Sequence, residues 1–131
     1  MGGQVTAILE FCNDLPTKTF EPGAVLFGEG KKDGALCVLI SGEVEILKGE
    51  FQVNIVSNPG AFFGEMAILL GTPHTATVRA LTQCRAHWIE DGDAFLRTNK
   101  DIAYDFLKVV AQRLHDVTTY LTDLNRYVRS V

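Results

Sequence analysis

A chain of 131 residues, 47% hydrophobic and 21% charged, is long enough to bury one core and too apolar to be disordered. Its net charge of −4 argues against a nucleic-acid-binding surface, and no apolar run reaches the length of a membrane span. The cysteines, Cys12, Cys37 and Cys84, are odd in number and far apart, which predicts buried free thiols in a reducing cytoplasm and argues against a disulfide framework or a zinc site.

Val5, Ile8, Leu9 and Cys12 recur at helical spacing and predict a short N-terminal helix over 4–13, closed by Asn13-Asp14 and Pro16. Residues 17–90 read as short apolar runs punctuated by turns. Thr19-Phe20 ends at Pro22-Gly23, Ala24 to Phe27 at Gly28, and Ala35 to Ile40 at Ser41-Gly42. Glu43 to Leu47 and Phe51 to Val56 alternate in polarity around the turn Lys48-Gly49-Glu50, and Asn58-Pro59-Gly60 follows. Thr75 to Leu81 and Arg85 to Glu90 supply two later strands. About eight strands at this spacing predict an α+β, mainly β chain built on an eight-stranded antiparallel jelly-roll β roll. The charged turn Lys31-Lys32-Asp33-Gly34 is expected to face solvent.

After the Pro59-Gly60 turn comes the most informative stretch, Phe62 to Ala80, which runs into the first of these later strands. Glu65 to Leu70 is apolar apart from Glu65 and is closed by Gly71 and Pro73, leaving room for under two turns of helix. A helix so short contributes chiefly its N-terminal amides, which favour an anion. Thr75, Thr77 and Arg79 then share one face of a strand, with Ala76 and Val78 on the other. A glycine-opened turn, one carboxylate and a hydroxyl-bearing strand suit a sugar phosphate: amides and hydroxyls for the phosphate, the carboxylate for a ribose hydroxyl.

After Asp91-Gly92-Asp93 a short helix is expected over Ala94 to Thr98, and a long one from Asp101 to the end, so that 94–131 forms the helical part. Ile102, Phe106 and Val109 are predicted to pack on the roll. Leu107, Leu114, Leu121 and Val128 repeat every seven residues, as do Ala103, Val110, Val117, Leu124 and Val131. This predicts a seam over 103–131 that pairs two copies as a homodimer.

The string from Phe62 to Ala80 resembles the phosphate-binding cassette of the cyclic nucleotide-binding domain, in which a Phe-Gly-Glu opening, an apolar turn and an Arg-(Ser/Thr/Ala)-Ala close recur. Phe20, Pro22-Gly23, Leu26-Phe27, Glu29-Gly30, Leu36 and Val38-Leu39-Ile40-Ser41-Gly42 are similar to the opening strands of the same family, whose ligand-binding domain is of the catabolite activator type. The resemblance implies one regulatory domain over 1–131 that binds cAMP, cGMP or a related phosphate ligand without catalysis. It implies that Glu65 holds the ribose and that Gly64, Glu65, Met66 and Ala67 amides, with Thr75 and His74, hold the phosphate. Alignment of the final helix with the transcription-activator branch places Val117 and Thr118 against the purine; Thr118 supplies a hydroxyl there and Val117 does not.

His74 departs from the pattern, standing where the family carries arginine. Two placements follow: a weakened clamp, or a side chain in solvent with Arg79 or Thr75 taking the phosphate. A domain that kept the fold and lost its ligand, serving as a dimerising interaction module, is the alternative function. His74, His87 and His115 are scattered without metal-ligand spacing, and no nucleophile–base pair is evident, so the chain reads as a non-enzyme without cofactor or metal.

Overall fold

The computed structural model describes residues 8–130, and side chains through residue 128. Residues 4–7 of the expected first helix and the last seam residue, Val131, lie outside the described residues; 8–11 are helical. The strands are β1 (Thr17–Phe20), β2 (Val25–Phe27), β3 (Leu36–Ser41), β4 (Val44–Lys48), β5 (Phe51–Val56), β6 (Phe62–Phe63), β7 (Thr77–Ala80) and β8 (Cys84–Ile89). Helix α1 (Glu65–Leu70) sits between β6 and β7, and α2 (Gly92–Thr98) and α3 (Lys100–Ser130) follow β8. Among the described residues no helix is long and apolar enough to cross a membrane.

All strand pairs are antiparallel, in two four-stranded sheets ordered β1-β8-β3-β6 and β2-β7-β4-β5. Strands β1 to β8 alternate between the two sheets apart from the β4–β5 hairpin, which is jelly-roll connectivity and confirms the expected architecture.

The run Leu36-Cys37-Val38-Leu39 shows why β3 lacks a polar face. Cys37 and Leu39 point between the sheets, joining Phe27, Val44, Val78, Cys84 and Ala86. Leu36 and Val38 point the other way, joining Ile8, Cys12, Phe62, Ile89, Ile102 and Phe106 under the helices. A strand covered on both faces is apolar throughout, and its alternation is lost. Cys12, Cys37 and Cys84 are all buried and free.

Ile102 and Phe106 anchor the start of α3 on the roll, with Val109 and Val110 packed beside them. The Phe106 ring stacks on Phe62 with centroids 3.9 Å apart and planes 3° from parallel. Farther along, Leu114, Val117, Leu121, Leu124 and Val128 are exposed, so the seam residues lie uncovered once the helix has left the roll.

The 31–34 turn is exposed, as expected, and it also braces the segment that follows α1. The Gly30 amide donates to the His74 carbonyl at 2.8 Å, and the His74 amide donates to the Lys31 carbonyl at 2.8 Å. Lys32 Nζ reaches the Gly71 carbonyl at 3.0 Å. The turn satisfies backbone groups that the segment between α1 and β7 would otherwise leave open.

Candidate functional site

Beneath α1 the roll opens into a cavity of about 300 Å³, at the small end of the range for ligand sites of about 300–1,000 Å³. Ile46, Val56, Phe62, Ala76 and Val78 give it apolar walls, and Asn54, Glu65, His74, Thr75 and Arg113 supply polar groups.

Gly64 places α1. Its φ of 97° is left-handed, and a Cβ there would run into the Ala35 carbonyl oxygen. Only glycine opens a helix so close to β3. Among the described residues no side chain caps α1; the Glu65 amide faces its own carboxylate, and the first-turn amides after it, which lack intrahelical partners, lie at the cavity edge. Gly71, also left-handed, ends the helix with its amide bonded to the Ala67 carbonyl.

Glu65 is 5% exposed, and burial pushes its carboxyl up to about 6 from the ordinary 4.5. Arg113, the residue's own amide and His74 pull in the opposite direction. Arg113 Nη1 stands 3.6 Å from Oε1, while Oε2 is buried without a hydrogen-bond partner among the described residues. An unpaired buried carboxylate oxygen costs on the order of 1–3 kcal/mol or more, and a hydroxyl donated from the cavity would remove that penalty.

The predicted residues Gly64, Glu65, Met66, Ala67, His74 and Thr75 all line this cavity. Thr118 does not. It lies five residues beyond Arg113 on α3, roughly 7.5 Å along the axis and about 140° around it, on an exposed turn. Its own chain therefore does not bring Thr118 to this cavity.

His74 is buried, which corrects the solvent placement. Its Nε2 donates to Asp33 Oδ1 at 2.9 Å and its ring lies 4.5 Å from the Phe27 ring. Arg79 is equally remote from the phosphate role that the solvent placement gave it. Its guanidinium pairs with Glu45 at 2.7 Å on the other face of β7 from Val78, which lines the cavity. The Gln52 amide and that guanidinium hold the Glu45 carboxyl below the usual range. Thr77 on the same face accepts from the Glu29 amide. The other histidines have separate settings: His87 Nδ1 contacts the Leu15 carbonyl at 3.2 Å, and His115 is on the exposed helix.

Arg113 and Asp33 were missed from the sequence. Arg113 follows Phe106 by seven residues, so it continues the core-facing stripe of α3, and its guanidinium lies 4.7 Å above the Phe62 ring. A charge on an otherwise roll-facing stripe was the available signal.

Fold and cavity together define a β roll with a partly polar cavity beneath a short helix and beside a long one. The chain belongs to the cyclic nucleotide-binding domain family, whose sequence profile matches residues 17–97. It is 29% identical over 130 residues to the CRP-like cAMP-activated global transcriptional regulator of Mycobacterium tuberculosis, covering 94% of this chain and 58% of that protein. It is 39% identical over 71 residues to the cAMP-dependent protein kinase regulatory subunit of Hypocrea atroviridis, covering 54% of this chain and 15% of that one. Among solved structures, the Thermus thermophilus catabolite activator protein superposes with a TM-score of 0.73 at 22% identity, covering 94% of this chain and 59% of that one. The chain thus spans between about one seventh and three fifths of the curated relatives named here.

Proposed function

We propose that this chain is a non-catalytic regulatory module that binds a cyclic nucleotide, cAMP or cGMP, in the cavity beneath α1. The observation that carries the reading is the buried Oε2 of Glu65, without a hydrogen-bond partner among the described residues, in a cavity edged by the first turn of α1. A ribose hydroxyl is the donor that Oε2 lacks, and the amides of Gly64 to Ala67 with Thr75 suit the cyclic phosphate. The phosphate clamp is degenerate, because His74 offers at most one donor where arginine offers a fork. The exposed heptads of α3 support a homodimer, and three buried free thiols suit a reducing cytoplasm. In that dimer Thr118 reaches a base only from the second copy.

The alternative, a dimerising module that no longer binds nucleotide, is favoured by one observation: Nε2 of His74 is already engaged by Asp33. Calorimetric titration with cAMP and cGMP, with uncyclised AMP as control, decides between them. Selective heat and a raised melting temperature with a cyclic nucleotide support binding. Neither response to either cyclic nucleotide at millimolar concentration leaves the interaction module.

A further inference from the structure

Two side chains able to carry positive charge line the cavity, His74 and Arg113. Arg113 already faces the Glu65 carboxylate at 3.6 Å. The negative charge of a phosphodiester therefore falls to His74, whose placement is tightly determined. Its backbone is bonded to the 30–31 turn on both sides, the Phe27 ring lies 4.5 Å from its own, and Asp33 Oδ1 takes Nε2 at 2.9 Å.

A carboxylate only accepts, so Nε2 carries a hydrogen in either protonation state, and the state of the ring is decided at Nδ1. Among the described residues Nδ1 makes no hydrogen bond. On a neutral ring it is a lone pair, which repels an anion; on a protonated ring it is a charged donor. Other charged groups surround the ring. Glu65 approaches it from α1 and Arg113 from α3 across the cavity. Lys32 sits on the Gly71 carbonyl, and Lys48 sits on the Thr75 carbonyl with Glu29 as its ion-pair partner.

We propose that Asp33 is a positioning residue for the ligand's phosphate: it holds His74 by Nε2 so that Nδ1 is the atom presented, and the clamp closes by taking up one proton. The proposal rests on the nucleotide-binding reading above. Affinity then rises as pH falls through the range where imidazoles titrate, about pH 5 to 8. Glu65 sets the lower limit, since below about 6 its carboxyl is protonated and Oε2 stops accepting freely. Affinity is therefore expected to fall again below that limit.

The test is calorimetric titration with cAMP at about pH 6.5 and about pH 8, where the Glu65 limb is small, in two buffers of different ionisation heat that count protons. Wild type, Asp33→Asn, His74→Arg and the double variant are compared. Asparagine keeps an acceptor for both His74 and the Ala35 amide, which also bonds Asp33 at 3.0 Å, so the fold is preserved. For wild type we expect net proton uptake and affinity higher at the lower pH by up to about tenfold per pH unit. Asp33→Asn should weaken binding roughly tenfold at about pH 6.5 and lower the uptake. His74→Arg should bind without proton uptake, and adding Asp33→Asn to it should leave the still-absent pH dependence unchanged. Binding by wild type without proton uptake overturns the proposal. So does an Asp33→Asn variant that melts earlier but keeps the wild-type pH slope, which makes Asp33 a loop brace only. Absence of binding by wild type at both pH values removes the nucleotide-binding reading itself, and this proposal with it.

Discussion

Replacing Glu65 by glutamine tests whether this carboxylate is held for a ligand at the expense of the empty protein. The folded carboxyl is raised from 4.5 to about 6, so between those values the native state binds more protons than the unfolded one. Whatever favours the folded state is complete below pH 4.5 and is lost as pH rises through about 6. The loss corresponds to about 2 kcal/mol, and the 5% exposure of the residue leaves little solvent screening to discount. Glu65→Gln removes the ionisation and keeps the shape. The empty variant should match wild type near pH 4.5 and exceed it by about 2 kcal/mol at about pH 8, roughly 5–10 °C in melting temperature for a domain of this size. Arg113, half exposed, is solvated when its partner is lost. Urea denaturation across pH, with and without cAMP, reads both sides of the exchange. The variant should gain stability when empty and lose about 1.5–3 kcal/mol of nucleotide binding. If glutamine destabilises the empty protein at about pH 8, Glu65 is a structural member of α1 and the reasoning fails.

Gly64→Ala should cost about 2–5 kcal/mol, combining the left-handed backbone with the collision against the Ala35 carbonyl. A denaturation midpoint close to wild type would show that β3 and α1 are looser than their geometry indicates. Leu121→Asp places a charge in the exposed heptad seam and should convert a dimer into a monomer with little change in the stability of the roll. Sedimentation velocity checks it, and an unchanged sedimentation coefficient excludes pairing through α3.

Regions organised by local pattern were legible in the sequence. Helix α1 runs from Glu65 to Leu70, the span set by Gly64, Gly71 and Pro73, because turn glycines and short apolar runs encode their own limits. The core-facing role of Ile102 and Phe106 was equally clear from spacing. Strand β7 begins at Thr77, two residues later than the pattern of threonines suggests, because Lys48 holds the Thr75 carbonyl in the loop. What escaped was side-chain pairing across long separations. Asp33 meets His74 across 41 residues, and Glu65 meets Arg113 only because α3 returns across the roll. Asp33 sits in a turn whose composition says solvent, and nothing local says otherwise. Thr118 illustrates the converse: the family resemblance placed it against the purine, and within its own chain it does not line the cavity.

The strand order bears on how the molecule is made. Strand β1 has β8 as its sheet partner, with Thr17 opposite His87, and β8 also separates β1 from β3. On a chain synthesised from its N-terminus, residues 17–20 and one edge of β3 stay unpaired until Cys84 to Ile89 has left the ribosome. The β4–β5 hairpin, closed by the Gly49-Glu50 turn, is complete much earlier. During translation β3 is an apolar, unpaired template, the kind of edge on which neighbouring nascent chains associate. Slow synthesis upstream of residue 84 lengthens that exposure, and fast release of β8 ends it. Yield during expression should therefore respond to codon choice between β5 and β8 more strongly than to codon choice within α3.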